Sequence, residues 1–266
     1  MSGRVFAIVS MLALTACSSY DTYRWDQGGA PVAMLAVSDG VCALKKVAGR
    51  FGGTGDWVEV KAVNGVWTLQ GAAQHAGTMG EAHCVSRGNF RFAQQLDYSQ
   101  QTTAVWSQTP TGYETVSIAP NESSNCWLTG FGGDLATQGG LVHIGVGPSP
   151  ASQGLGFHQY APVRPLFGSS VCLNATPAPK KAYKGWGGTP TQPVDLPGTA
   201  EAFCYLTYLA GQFTGTTPDR MTYAGINSSD WNSLTRTWKG QYLTAGNVHG
   251  QPGSLTVGVT CIYFDP

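Results

Sequence analysis

Cysteine and histidine are the residues of this chain whose types and spacing invite chemistry. Seven cysteines occur, Cys17, Cys42, Cys84, Cys126, Cys172, Cys204 and Cys261. Zinc-thiolate sites are built from close Cys pairs, yet no Cys-x-x-Cys exists here, and even the nearest two of the last six, Cys172 and Cys204, stand far apart in the chain. Such an even, widely spaced set of six is therefore expected to form three disulfides if the chain is exported to an oxidising compartment. His75, His158 and His249 each lie a short way before Cys84, Cys172 and Cys261, respectively. Three imidazoles brought together can hold zinc. Against that, Gln74-His75-Ala76, Phe157-His158-Gln159 and Val248-His249-Gly250 do not align without gaps, and histidines in turns are commonly just exposed. No other cofactor is implied.

Carboxylates offer a second chemistry, because glycoside hydrolysis needs only two at a set separation, often distant in sequence. Asp56 with Glu59, Glu81 and Asp134 are the candidates near turns. The competing reading is that they cap turns or solvate the surface. Motif-borne chemistry is absent: no Gly-x-Ser-x-Gly, His-Glu-x-x-His, phosphate-cradling loop or dinucleotide fingerprint occurs, which argues against the enzyme classes that rely on them. With six cysteines in disulfides and Cys17 used otherwise, no thiol is left as a nucleophile. Tryptophan is the remaining resource. Trp25, Trp106 and Trp186 recur at nearly the same distance ahead of Cys42, Cys126 and Cys204, the behaviour of core residues. Trp57, Trp231 and Trp238 do not recur, and unrepeated aromatics in loops rich in Gly, Asn and Ser are candidates for stacking on a sugar or gripping a partner.

Composition narrows the partners. Charged residues make up 11% of the 266, under half of the roughly 25% usual in soluble proteins. Fifteen basic residues balance fifteen acidic ones, and the only basic clusters are the pairs Lys45-Lys46 and Lys180-Lys181. Such a surface gives nucleic acid nothing to bind. The 42% apolar content favours a packed globule over a disordered chain.

The N-terminus supplies an address. Arg4 is followed by the apolar run Val5 to Leu14, far short of the roughly 20 residues of a spanning helix. Leu14-Thr15-Ala16-Cys17 closes it and resembles the bacterial lipobox, the processing signal of secreted lipoproteins. The resemblance implies cleavage before Cys17, loss of residues 1–16, and acylation of Cys17, whose several chains would anchor the protein firmly. In that family a serine at the next position, here Ser18, permits sorting to the outer membrane. Residues 17–24 would be the tether.

The elements that must position these residues repeat three times. Counted from Cys42, Cys126 and Cys204, offset two holds Leu44, Leu128 and Leu206, and offset five holds Val47, Phe131 and Leu209. Offset seven holds Gly49, Gly133 and Gly211, and offset nine holds Phe51, Leu135 and Phe213. The alternation predicts a strand with glycine where another backbone or ring approaches. Cutting at the recurring tryptophans gives units 25–105, 106–185 and 186–266, which are almost equal in length. Each owns an early and a late cysteine, so pairing within units (Cys42 with Cys84, Cys126 with Cys172, Cys204 with Cys261) follows most simply. A ring-stitching alternative (Cys84 with Cys126, Cys172 with Cys204, Cys42 with Cys261) respects the repeat as well.

Strand and turn signals dominate each unit. Val58 to Val63, the turn Asn64-Gly65 and Val66 to Leu69 predict a hairpin. Leu141 to Val146 and Thr256 to Phe264 predict further strands, and the proline-rich stretches Thr176–Pro179 and Thr189–Pro197 predict crossings between units. The expected fold is all-β: three homologous units of about 80 residues closing into a pseudo-threefold, disulfide-braced body without free sheet edges. The pattern is similar to Cys- and Gly-rich repeats of exported bacterial proteins. The expected role is a non-enzymatic, lipid-anchored envelope module that binds a glycan or an envelope protein through its loops. A structural subunit of an envelope assembly and a carboxylate-dependent envelope hydrolase are the alternatives.

Overall fold

The computed structural model describes residues 21–86, 102–104, 113–119, 124–135, 140–146, 153–159, 166–174, 181–187, 193–199, 201–214, 222–232, 237–247 and 255–263. Among them the fold is all-β. The first six strands are β1 (Thr22–Asp26), β2 (Val32–Ala36), β3 (Gly40–Ala48), β4 (Gly52–Val63), β5 (Val66–Ala72) and β6 (Met79–Ser86). Next come β7 (Thr102–Ala104), β8 (Tyr113–Ala119), β9 (Ser124–Asp134), β10 (Gly140–Val146), β11 (Gln153–Gln159) and β12 (Leu166–Asn174). The last are β13 (Lys181–Gly187), β14 (Val194–Leu196), β15 (Ala202–Gly211), β16 (Thr222–Asn232), β17 (Thr237–Asn247) and β18 (Thr256–Tyr263).

Local chemistry accounts for the hairpins. Val63 pairs with Val66 across a two-residue turn, in which Asn64 and Gly65 have φ of 50° and 79°. Both central residues thus take the left-handed conformation that a type I′ turn demands, and Asn-Gly tolerates it best. The strands assemble into three six-stranded sheets, ordered β1-β6-β3-β16-β17-β14, β13-β18-β15-β10-β11-β8 and β2-β5-β4-β9-β12-β7. Each sheet joins a three-strand set from one third of the chain to a three-strand set from another, and each is open, ending on β1 and β14, β13 and β8, or β2 and β7, so the expected body without free sheet edges is not what forms among the described residues. An extended network of this kind ties distant segments together: Lys46 reaches Asn227 with a 3.0 Å hydrogen bond across a separation of 181 residues.

The strands β3, β9 and β15 pack against one another at the centre. Cys42 stands directly opposite Cys84, Cys126 opposite Cys172, and Cys204 opposite Cys261. The three disulfides join these same pairs, so the pairing is local to each third of the chain and not the stitching pattern. Each closes a separation of 42, 46 or 57 residues, which in the chain-entropy account stabilises the fold by about 4 kcal/mol. Three residues beyond each early cysteine the pairing skips one residue, Lys45, Thr129 and Thr207. All three skipped residues are buried. A bulge inserts an extra residue and sharpens the local twist.

Beyond the bulges, Gly49, Gly133 and Gly211 have φ of 107°, 110° and 118°. The sequence pattern marked these glycines for close approach; their backbone conformation is an additional reason that only glycine serves. Two residues further, the chains meet in a triangle of main-chain hydrogen bonds. Phe51 N–H donates to Phe213 O at 3.2 Å, Phe213 N–H to Leu135 O at 3.0 Å, and Leu135 N–H to Phe51 O at 2.7 Å. The rings of Phe51, Phe131 and Phe213 close above it with centroids 5.2–5.5 Å apart in edge-to-face contacts, the arrangement aromatic quadrupoles favour. All are fully buried.

Some expectations shift. β1 begins at Thr22, inside the stretch read as tether, and Thr22 to Arg24 pair with His83 to Glu81. The stretch read as the crossing Thr189–Pro197 contains β14, which pairs only with β17 at the edge of its sheet. Pro193 and Pro197 flank it, and proline's missing N–H confines such a strand to an edge. Thr176–Pro179 lies outside the described residues.

Candidate functional site

An Asp-His pair forms where β4 is interrupted. Gly53 pairs with Gly133 and Trp57 with Gly132, so Thr54, Gly55 and Asp56 bulge out of the ladder. The glycines that allow this bulge also let the turn after β5 fold over it: a Cβ on Gly55 would lie 2.8 Å from Gln74 Nε2. Asp56 points inward and is fully buried. Its carboxylate is satisfied by three donors. Oδ1 accepts from Gln74 N–H at 2.6 Å, and Oδ2 accepts from Gly52 N–H at 2.8 Å and lies 2.9 Å from His75 Nδ1. A buried carboxylate is tolerable when its lone pairs are met in this way.

His75 is fixed by these contacts, while its side chain keeps 25% exposure. The bond to Asp56 assigns the Nδ1 proton to that side, leaving Nε2 as the outward nitrogen. Thr78 Oγ1 lies 3.0 Å from both Arg50 O and His75 O, tying the turn to the start of β4. Gly49 makes room: a Cβ there would collide with Thr78 and Gly77 main chain. Arg50 therefore lies beside His75. A Cβ on Gly52 would sit 3.0 Å from His75 Cε1, 3.1 Å from Arg50 Nε and 3.5 Å from His75 Nε2. The arrangement can present an oriented imidazole beside a guanidinium.

The other sequence candidates are dispersed. His158 stands in β11 opposite Leu141 and Tyr113, and His249 lies outside the described residues. Among the described residues no three His, Cys, Asp or Glu side chains gather to hold a metal ion. Cys17 lies outside the described residues, as does Trp106. Trp25 is buried and donates from Nε1 to Gly29 O at 3.0 Å. Trp57 is half-buried, its ring centroid 6.0 Å from that of Phe167. Trp57, Trp231 and Trp238 were expected in loops, but all three fall in strands: Trp57 in β4, and Trp231 and Trp238 directly opposite each other in β16 and β17, one pair from the end of their ladder.

Carboxylates do not behave as solvated turn residues. Asp56, Glu59 and Asp134 are all buried, and Glu81 lies 3.9 Å from Arg24. Burial pushes the Glu59 carboxyl above its ordinary range, opposed by Lys61 and by hydrogen bonds from Gln70 and Ser169. His83, which the sequence did not single out, is buried against Phe203 with ring centroids 4.9 Å apart. Burial, with the charge of Lys45, holds its imidazole down at about 3. Burial likewise lowers Lys45. Arg50 was also missed, since an isolated arginine carries no sequence signal; the run Gly52-Gly53-Thr54-Gly55 beside Asp56 was the visible hint of a bulge. No protein-family model, curated protein or solved structure matches this chain.

Proposed function

We propose that this protein is a lipid-anchored binding module of the bacterial cell envelope, held to the outer membrane by Cys17 and recognising a glycan or an envelope protein through strand positions near a hairpin end rather than through loops alone. The body in this reading is one β module copied three times and closed on itself, over the expected 25–105, 106–185 and 186–266, except that β7 and β13, the first strands of the second and third copies, begin a few residues before those cuts. Several independent features support the copying: the matching strand orders, the bulge three residues after each early cysteine, the three positive-φ glycines and the main-chain triangle. Trp25 and Trp186 add to them, each pairing with the residue four before the late cysteine, Gly80 and Val257.

The observation that carries the binding role is the register of Trp231 opposite Trp238. Cross-strand neighbours in a ladder lie about 5 Å apart, so two tryptophans that the repeat does not require occupy facing positions near the end of a hairpin. A tryptophan pair at such positions suits the flat apolar face of a sugar ring or an aromatic contact of a partner protein, and such residues dominate binding energy when they are used. The three disulfides accord with an exported protein.

A glycan array together with cross-linking to envelope proteins in cells tests the reading. Trp231→Ala and Trp238→Ala are each expected to weaken the captured interaction by tenfold or more, the loss typical of a hot-spot tryptophan. Silence of the unmodified protein in both assays refutes it. Cys17→Ser should move the protein from the membrane to the soluble fraction, and unchanged fractionation would remove the anchor.

A further inference from the structure

The sheet ordered β13-β18-β15-β10-β11-β8 carries one row of residues that crosses all six strands: Gly185, Gly258, Tyr208, His143, Gly156 and Thr115. Gly185 and Gly258 face each other in the ladder, and the ring of Tyr183 lies over the pair. A Cβ on Gly185 would sit 3.4 Å from Tyr183 Oη and 3.5 Å from its Cε1, and a Cβ on Gly258 would sit 2.6 Å from Oη and 3.2 Å from Cε2. The two edges of the ring thus rest on different strands, so the ring lies along the sheet with one face down. A side chain at either glycine would lift it. The other face is open: Tyr183 keeps 63% exposure, while Gly258 beneath it is buried. Tyr208 adjoins on the far side of Gly258, its Cβ 2.9 Å from where a Cβ on that glycine would stand, and the Tyr208 and His143 ring centroids are 5.8 Å apart. Three rings therefore follow one another from β13 to β10, about 14 Å at three strand spacings.

We infer that this strip binds a neutral oligosaccharide, with the open face of Tyr183 stacking on a sugar ring. The inference rests on the glycan half of the reading above and adds a site apart from the tryptophan pair, which stands in another sheet. Charge selects the ligand class. The row holds no Lys, Arg, Asp or Glu, and the charged residues of β13, Lys181 and Lys184, stand opposite Ile262 and Val259 instead. In the sheet that begins with β1 the corresponding row carries Arg24, Glu81 and Lys46. A row without fixed charge gives an acidic glycan nothing to pair with, whereas the electron-rich face of a phenol ring suits the C–H face of an uncharged sugar. Half-buried Thr260 faces Tyr183 across the ladder and supplies a neighbouring hydroxyl. A ring already laid flat on the sheet also loses little freedom when it is covered.

The test is an isothermal titration of the full chain in mild detergent at about pH 8, where an ordinary histidine is neutral, with cellohexaose, chitohexaose and hexagalacturonate as probes. At least one of the two neutral sugars should bind saturably, and hexagalacturonate more weakly. Tyr183→Ala should weaken the neutral sugar about tenfold, the loss of an aromatic anchor, and Tyr183→Phe, which keeps the ring, should stay within about threefold of the parent. A urea midpoint equal to the parent's verifies the fold of each variant, as expected for a side chain this exposed. Undiminished binding in Tyr183→Ala overturns the site and leaves the glycan reading to Trp231 and Trp238. A loss in Tyr183→Phe equal to that in Tyr183→Ala overturns ring stacking, and tighter binding of hexagalacturonate overturns the neutral class. Failure of both neutral sugars overturns the site together with the glycan half of the reading, leaving an envelope protein as the partner.

Discussion

Glycine-to-alanine exchange at three positions separates the physical reasons for glycine in this chain. At Gly53 no positive φ is imposed and an added Cβ meets nothing within 4 Å. Alanine there should be neutral or stabilise by up to about 1 kcal/mol, through lower entropy of the unfolded chain. Gly65 has φ of 79° with open space around it, so alanine should destabilise by about 1–2 kcal/mol from backbone strain alone. Gly49 combines both problems. Its φ is 107°, and the new carbon would collide with the main chain of Gly77 and Thr78, which cannot rotate away as a side chain would. Strain and overpacking together should cost roughly 3–5 kcal/mol. Urea unfolding of the oxidised proteins, read by tryptophan fluorescence at pH 7, gives the three values. A Gly49→Ala variant as stable as Gly65→Ala would refute the reasoning, because it would mean that the turn carrying His75 is not pressed onto Gly49.

Two further outcomes follow from buried titratable groups. His83 is neutral in the fold with its value lowered to about 3, whereas an unfolded histidine titrates near 6.5; its contribution is intact above 6.5 and is lost as pH falls toward 3. At pH 4.5 the loss should reach roughly 3 kcal/mol, at about 1.4 kcal/mol per pH unit, and urea midpoints of the parent and a His83→Gln variant at pH 7 and 4.5 check it: a variant with the parent's full acid sensitivity contradicts the assignment. Glu59 works in the opposite sense, since burial raises its carboxyl above the unfolded value and stability is lost as pH rises through that range. Glu59→Gln should therefore raise the urea midpoint at pH 7 and leave it nearly unchanged at pH 4; a lower midpoint at pH 7 would show that the hydrogen bonds from Gln70 and Ser169 outweigh the burial cost.

Sequence alone determined the local and periodic features of this protein. The Asn64-Gly65 turn was legible because only a few residues accept left-handed backbone at both central positions. The cysteine partition was legible because each third holds one early and one late cysteine, so local pairing costs least. The offsets of Leu44, Gly49 and Phe51 and their counterparts were legible as a strand because side chains there alternate with a period of two. What only the tertiary structure decided depends on contacts between segments far apart in the chain. The bulges at Lys45, Thr129 and Thr207 are defined by partner strands, and no single-strand pattern contains them. The triangle of Phe51, Leu135 and Phe213 needs all three thirds at once. Asp56 looked like a solvated turn acid, because neither its burial nor its bond to His75 can be read until the strand bulges and the turn at Gln74 folds over it. The approach of His75 to Arg50 depends on the turn after β5 folding over β4, and the placement of Trp231 opposite Trp238 is a property of register, which hydrogen-bond pairing sets and composition does not.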